Sequence, residues 1–156
     1  MSEKAHYLEG LSAELAQALG EAVWAFSMIE KLTYRYMKAL SSEPLHVLMA
    51  DQPFATRIRL IRHLVERLPG QEDEKATAAR CLNRAIELAK TRNMLAHNPW
   101  SIWVDLDTAE FMTEISKITD ENKTLDLNEV RGFRDAAREL ASSLEYALEQ
   151  LRYVGP

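Results

Sequence analysis

At 156 residues, with 47% hydrophobic and 28% charged side chains, the chain has the make-up of one ordinary globular domain able to bury a core. A formal net charge of −5 argues against broad, unspecific attraction to nucleic acid or to an anionic membrane surface. A single cysteine, Cys81, excludes an intramolecular disulfide, and five Gly with five Pro supply little turn material for an all-β design.

The opening segment Met1-Ser2-Glu3-Lys4-Ala5-His6 lacks the apolar core of a signal peptide. No apolar run approaches the ~20 residues that span a bilayer. A cytoplasmic protein without a membrane segment is therefore expected, folded as one domain over 1–156.

A helical stripe occupies the first forty residues. Leu8, Leu11, Leu15, Ala18, Ala22, Ala25, Ile29, Leu32, Tyr36 and Ala39 recur at three- and four-residue steps, which keeps one face apolar over many turns. Gly20 falls within the stripe and offers a place to bend, and a helix this long needs a partner along its length, from its own chain or a second copy. Ser41-Ser42-Glu43-Pro44 ends it, and a short linker runs to Pro53. A second helix is expected from about Pro53 to Leu68, with Phe54, Ile58, Ile61, Val65 and Leu68 on one face. Pro69-Gly70 stops it. The acids Glu72, Asp73 and Glu74 then suit the positive end of a third helix, which must finish near Ala96 because Pro99 disfavours helical backbone at Asn98.

From Trp100 the period changes to two: Trp100, Ile102, Val104 and Leu106 alternate with Ser101, Trp103 and Asp105. This predicts a hairpin with its turn at Asp107–Glu110 and its second strand over Phe111–Ile118. The same Asp107-x-x-Glu110 also reads as a capping box for a short helix carrying Phe111, Ile115 and Ile118. A clearer capping box, Asp126-x-x-Glu129, opens the last helix, with Val130, Phe133, Ala137, Leu140, Leu144, Ala147 and Leu151 at helical spacing. The fold class expected is all-α: four long helices in a bundle, with a small β-hairpin inserted before the last.

Gly-rich phosphate loops, Ser-nucleophile elbows and two-histidine zinc helices are absent. Of the four histidines, His6 lies near a terminus, His46 in the linker and His63 on the polar flank of the second helix. None has a second ligand at metal spacing, so neither a metal nor a cofactor is expected. The second helix is locally basic, with Arg57, Arg59, Arg62 and Arg67. Two readings stand: a solvated face partnered by acids such as Glu66, or a rim that contacts substrate phosphates, with Arg57, Arg59 and Arg62 as the candidates.

The remaining constellation is Arg92-Asn93-Met94-Leu95-Ala96-His97. Asn93 and His97 stand four apart, on one helical face. Arg92 and His97, five apart, lie about 140° around an ideal helix and converge only if the helix unwinds near its end, which Pro99 favours. A histidine at a helix C-terminus meets the negative end of the dipole, which favours the protonated form and suits proton exchange near cellular pH. The planar fork of an arginine matches phosphate oxygens. The bland alternative is a helix stop: Asn98-Pro99 terminates the helix, Asn or His satisfies free carbonyls, and Arg92 pairs with Glu87 or Asp73.

Arg92, Asn93 and His97 together resemble the RNxxxH signature of the HEPN superfamily (higher eukaryote and prokaryote nucleotide-binding domains), and the surrounding helical layout is similar. The resemblance rests on six residues near the end of a late helix, and the segment after Trp100 departs from the smallest family members, which lack it. It implies a small helical bundle, often a homodimer, in which two motif copies face each other across a cleft. It implies metal-independent cleavage of RNA, with His97 moving protons, Arg92 stabilising the phosphorus oxygens and Asn93 holding either in place. It also implies a defence or toxin–antitoxin setting, with an antitoxin-like protein as a partner. Two other expectations stay open from the residues alone: a non-catalytic dimerisation or protein-interaction module, and a domain that binds nucleotides without cleaving them.

Overall fold

The computed structural model describes residues 3–151. Within them lie five helices, α1 (Glu3–Ala39), α2 (Leu45–Leu48), α3 (Phe54–Glu66), α4 (Glu72–His97) and α5 (Leu127–Gln150), and three strands, β1 (Trp100–Val104), β2 (Phe111–Lys117) and β3 (Asp120–Asp126). The protein is mostly helical, with a small antiparallel sheet placed before the last helix. No helix of the described residues is long and apolar enough to cross a membrane.

The helical stripes do what their spacing implies. α1 runs unbroken through Gly20 and buries Ala22, Ala25, Phe26, Ile29, Tyr36 and Met37. It packs most extensively on α5, which contributes Val130, Phe133, Ala137, Leu140, Leu144 and Ala147. α4 lies against α5, and α3 against α4 and α1, so that Ile58, Ile61 and Val65 of α3 meet Ala78, Leu82 and Ala85 of α4 in one apolar cluster. The alanines of α1 and α4 let helix backbones approach closely, while Phe26, Tyr36 and Phe133 fill the wider gaps. Tyr36 is fully buried and its hydroxyl donates to the Leu144 carbonyl at 2.8 Å, a bolt between α1 and α5. Burial pushes its phenol above the ordinary tyrosine range.

Both ends of the long segments are set by local chemistry. Gly70 and Gln71 take positive φ (65° and 59°), reversing the chain between α3 and α4, and Glu72, Asp73 and Glu74 fill the first turn of α4. At the start of α5 the capping box is complete: the Glu129 amide donates to Asp126 at 2.7 Å and the Asp126 amide donates to Glu129 at 2.8 Å. Asp126→Ala is expected to cost about 1 kcal/mol, read as a lower urea midpoint at unchanged slope. A midpoint equal to wild type would show the helix start to be held by packing alone.

Two corrections to the expectations stand out. The linker before Pro53 contains a helical turn, α2, and His46 in it is half-buried with its Nδ1 shielded and unbonded. The inserted element has three strands, not two, in the order β1-β2-β3. Its first pair is the expected hairpin, with Trp100 opposite Ile115 and Val104 opposite Phe111. Asp107–Glu110 is the hairpin's turn, the first of the two readings, and no helix starts there: Asp105 accepts from the Asp107 amide at 2.9 Å, and Ala109 takes a φ of 59°. β3 follows after a tight reversal at Ile118-Thr119, with a bulge between Ser116 and Lys117. Ile115 is fully buried under this sheet, whereas Ile102, Trp103, Val104 and Met112 are exposed.

A charged cluster ties α1 to α5 at the surface. Arg134 donates to Glu21 at 2.7 Å and to Asp135 at 2.8 Å, and Gln17 donates to Glu21 at 3.0 Å. The Gln17 amide and then Arg134 hold the Glu21 carboxyl below the ordinary carboxylate range, and Arg134 does the same for Asp135. Carboxylates depressed in the fold stabilise it above their unfolded values and lose that contribution as pH falls through the folded ones. Urea midpoints measured from pH 7 down to pH 2.5 should therefore decline more steeply for wild type than for Arg134→Met. Parallel declines would show that the cluster carries none of the acid sensitivity.

Candidate functional site

The motif residues are positioned by the last turns of α4. That helix stays regular through His97, and the backbone becomes extended only at Asn98. The unwinding that would bring Arg92 and His97 together on one face does not occur. Instead Asn98 completes the helix stop: its Nδ2 donates to the Met94 carbonyl at 2.9 Å and its Oδ1 accepts from the Ile118 amide at 3.1 Å. One asparagine thus satisfies an orphan carbonyl and clips the sheet to the helix end. His97, relieved of that task, is exposed and forms no hydrogen bond or ion pair among the described residues.

Arg92 points the other way, into the interior angle between α1, α3 and α4. Its Nη2 donates to Glu30 of α1 at 2.9 Å, and its guanidinium lies over the Phe26 ring at 5.2 Å. Neither Glu87 nor Asp73 is its partner; Glu87 pairs with Lys90 at 2.6 Å. Arg57 reaches the same carboxylate from α3, at 3.8 Å. Its guanidinium is wedged against Tyr34 (4.8 Å) and Phe54 (5.7 Å), and donates weakly to Thr33 Oγ1 at 3.5 Å. Arg57 is 6% exposed, so a guanidinium is held where charge is normally tolerated only with full pairing.

The pairing is not full. Two guanidiniums share one carboxylate, and the Nε of Arg57 and of Arg92 are both buried without a hydrogen-bond partner. Stacking on Phe26, Tyr34 and Phe54 offsets part of the cost through cation–π attraction. Above them opens a groove of about 490 Å³, lined by Gln52, Pro53 and Phe54 before and in α3, and by Ile86, Ala89, Lys90, Arg92 and Asn93 on α4. Arg57 forms part of its wall. The floor is aromatic and aliphatic, the charge is net positive, and Asn93 stands exposed at the edge with a free amide.

The sequence-expected residues therefore divide. Arg92, Asn93 and Arg57 come together in one groove, while His97 lies outside its lining, further along α4. Arg59 and Arg62 do not line the groove: Arg59 donates to Thr56 at 3.1 Å, and Arg62 faces Glu66 at 3.9 Å, the local pairing of the solvated-face reading. Glu30, Phe26 and Tyr34 were not anticipated. Their signal was faint: in α1, Phe26, Glu30 and Thr33-Tyr34 fall at helical spacing on a flank of the apolar stripe, where a lone acid hints at a buried cation opposite. No three His, Cys, Asp or Glu side chains gather to hold a metal ion among the described residues.

No protein-family model, no curated protein and no solved structure matches the chain.

Proposed function

We propose that the chain is a HEPN-like helical bundle that handles RNA phosphodiesters as a metal-independent endoribonuclease. The observation that carries the reading is the pair of guanidiniums, Arg57 and Arg92, sharing the single carboxylate of Glu30 at the floor of an open groove. Fixed positive charge in excess, backed by a low-dielectric floor, is what stabilises the charge that builds on a pentacoordinate phosphorus. Arg92 is the arm that meets the phosphate, since its side chain remains 25% exposed, and Arg57 supplies potential from behind. Asn93 orients a phosphate or sugar oxygen at the rim.

His97 is an unencumbered proton carrier, but in one copy it stands beyond the groove. A homodimer resolves this: the two motif copies face each other across one shared cleft, which then holds two Arg92 and two His97. The 2′-hydroxyl then attacks phosphorus, one His97 accepts its proton, and the P–O5′ bond breaks as a second His97 protonates the leaving oxygen. The products are a 2′,3′-cyclic phosphate and a 5′-hydroxyl. A cytoplasmic defence or toxin–antitoxin role, restrained by an antitoxin-like protein, follows from the same resemblance.

A second reading has its own observation. Trp24 is 72% exposed on α1, beside Met28 at 42%, and borders a hollow of about 360 Å³ against α5. A bare tryptophan next to a hollow favours a protein-interaction module in which the groove has no turnover.

Incubating a single-stranded RNA with the purified protein in excess chelator, and identifying the new ends, separates the two. Cyclic phosphate ends in chelator support the ribonuclease. Linear 3′-hydroxyl ends that need a divalent cation overturn the mechanism, and intact RNA with a folded protein shifts the assignment to the interaction module.

A further inference from the structure

The groove's charge balance points to a choice among phosphates. Around its floor stand Arg57 on α3, Arg92 on α4 and Glu30 on α1, with Lys90 and Glu87 of α4 neutralising each other at the rim. Two guanidiniums against one carboxylate leave a single positive charge. Glu30 does not line the groove, yet its Oε1 lies 2.9 Å from the one arginine nitrogen it holds and 3.8 Å from the other. Any anion placed on Arg92 is therefore a close neighbour of that carboxylate.

We infer that Glu30 tunes the Arg57–Arg92 site to the singly charged phosphodiester and against the doubly charged terminal phosphate. The inference rests on the phosphate-site reading of the groove and specifies its ligand. A phosphodiester monoanion brings the local sum to zero. A phosphomonoester dianion leaves one uncompensated negative charge against an aromatic floor, and a partly desolvated charge without a partner is costly. The repulsion from Glu30 scales with ligand charge, whereas desolvation grows with its square, so both act harder on the dianion. An enzyme with this site engages internal linkages of an RNA and is indifferent to its phosphorylated ends. Its own 2′,3′-cyclic products, being monoanionic diesters, still fit the site, whereas nucleoside monophosphates with a doubly charged phosphate compete poorly.

Glu30→Gln isolates the effect, because the amide keeps an acceptor oxygen for Arg92 and removes only the charge. Two probes with one base suffice: 2′-deoxyadenosine 5′-monophosphate and the methyl ester of its phosphate, neither of which can form a cyclic phosphate at a 2′-hydroxyl. Affinities are read by NMR titration at pH 7.5, with folding of each variant checked by circular dichroism. Wild type should bind the ester at least as tightly as the monophosphate. In Glu30→Gln both tighten, by about fivefold for the ester and about thirtyfold for the monophosphate if the carboxylate acts at ~4 Å through water-like screening, and the preference reverses.

A second measurement needs no variant. The second proton of the monophosphate leaves near pH 6, so wild-type affinity for it should fall between pH 5 and pH 7.5, with the ester as control for any change in the protein. Both probes binding, with the dianion preferred by wild type or the ratio unchanged in Glu30→Gln, overturns the role of Glu30 and leaves the phosphate site standing. Failure of both probes to bind folded wild type overturns the phosphate site itself. If Glu30→Gln does not fold, the wild-type pH series decides.

Discussion

His97→Ala is expected to lower RNA cleavage about 10²–10⁴-fold, the usual contribution of a positioned acid or base. It should do so without loss of stability, because the side chain is exposed and makes no bond among the described residues. Arg92→Ala is expected to lower cleavage about 10²–10³-fold, through lost stabilisation of the transition-state charge. It should also soften the fold, since Glu30 loses its nearer partner and Phe26 the cation on its face. The contrast is diagnostic. His97 acts from solvent, whereas Arg92 is built into the packing between α1, α3 and α4.

Single-turnover cleavage and urea unfolding on the same preparations separate activity from stability. Mixing the two inactive variants adds a test of geometry. A mixed dimer sets one copy's Arg92 beside the other's His97 in the shared cleft and regains part of the activity, whereas clefts built within one chain regain none. An active His97→Ala protein would remove His97 from the mechanism.

The second large effect is on stability. Phe26 is 1% exposed and packs its ring 5.2 Å from Phe54 and 6.1 Å from Phe133, joining α1, α3 and α5 at one point. Its face also carries the Arg92 guanidinium. Phe26→Ala is expected to cost about 3–5 kcal/mol, from lost transfer energy plus the cavity left behind. At this chain length that is roughly 2–4 °C of melting temperature per kcal/mol. Phe26→Leu restores most of the volume and should recover most of the stability, but not the surface on which Arg92 rests. Its signature is a well-folded protein with weakened phosphate binding. A loss below 1 kcal/mol in Phe26→Ala would mean that the three helices are joined elsewhere.

The long helices were legible from apolar stripes in α1, α3 and α5 and from terminal signals, which alone placed α4. The Asp126–Glu129 box and the acidic first turn of α4 fall where the spacing put them. Strand β3 was not legible, and for a physical reason. Its only large apolar residue is Leu125, so the solvated edge strand shows no alternation to read. Asp107 and Glu110 had the right types for a helix start, but Asp105 captured the local amide and Ala109 took a left-handed turn.

The site was legible only within single helices. Arg92 and Asn93 could be singled out from spacing, and Arg57 from local composition. Glu30 comes from 62 residues away along the chain and is brought in by tertiary packing alone. The spacing already set Arg92 and His97 about 140° apart, and the unwinding expected to bring them together is missing because Asn98 ends the helix cleanly.

The central claim is that the groove holding Arg57 and Arg92 receives the phosphates of RNA. Binding of a short, uncleavable 2′-O-methyl RNA, measured by fluorescence anisotropy at two salt concentrations, tests it most directly. Wild type and His97→Ala should bind alike, and more weakly as salt rises. Arg92→Ala should bind markedly more weakly, with a shallower salt dependence. Equal binding by Arg92→Ala and wild type would contradict the account.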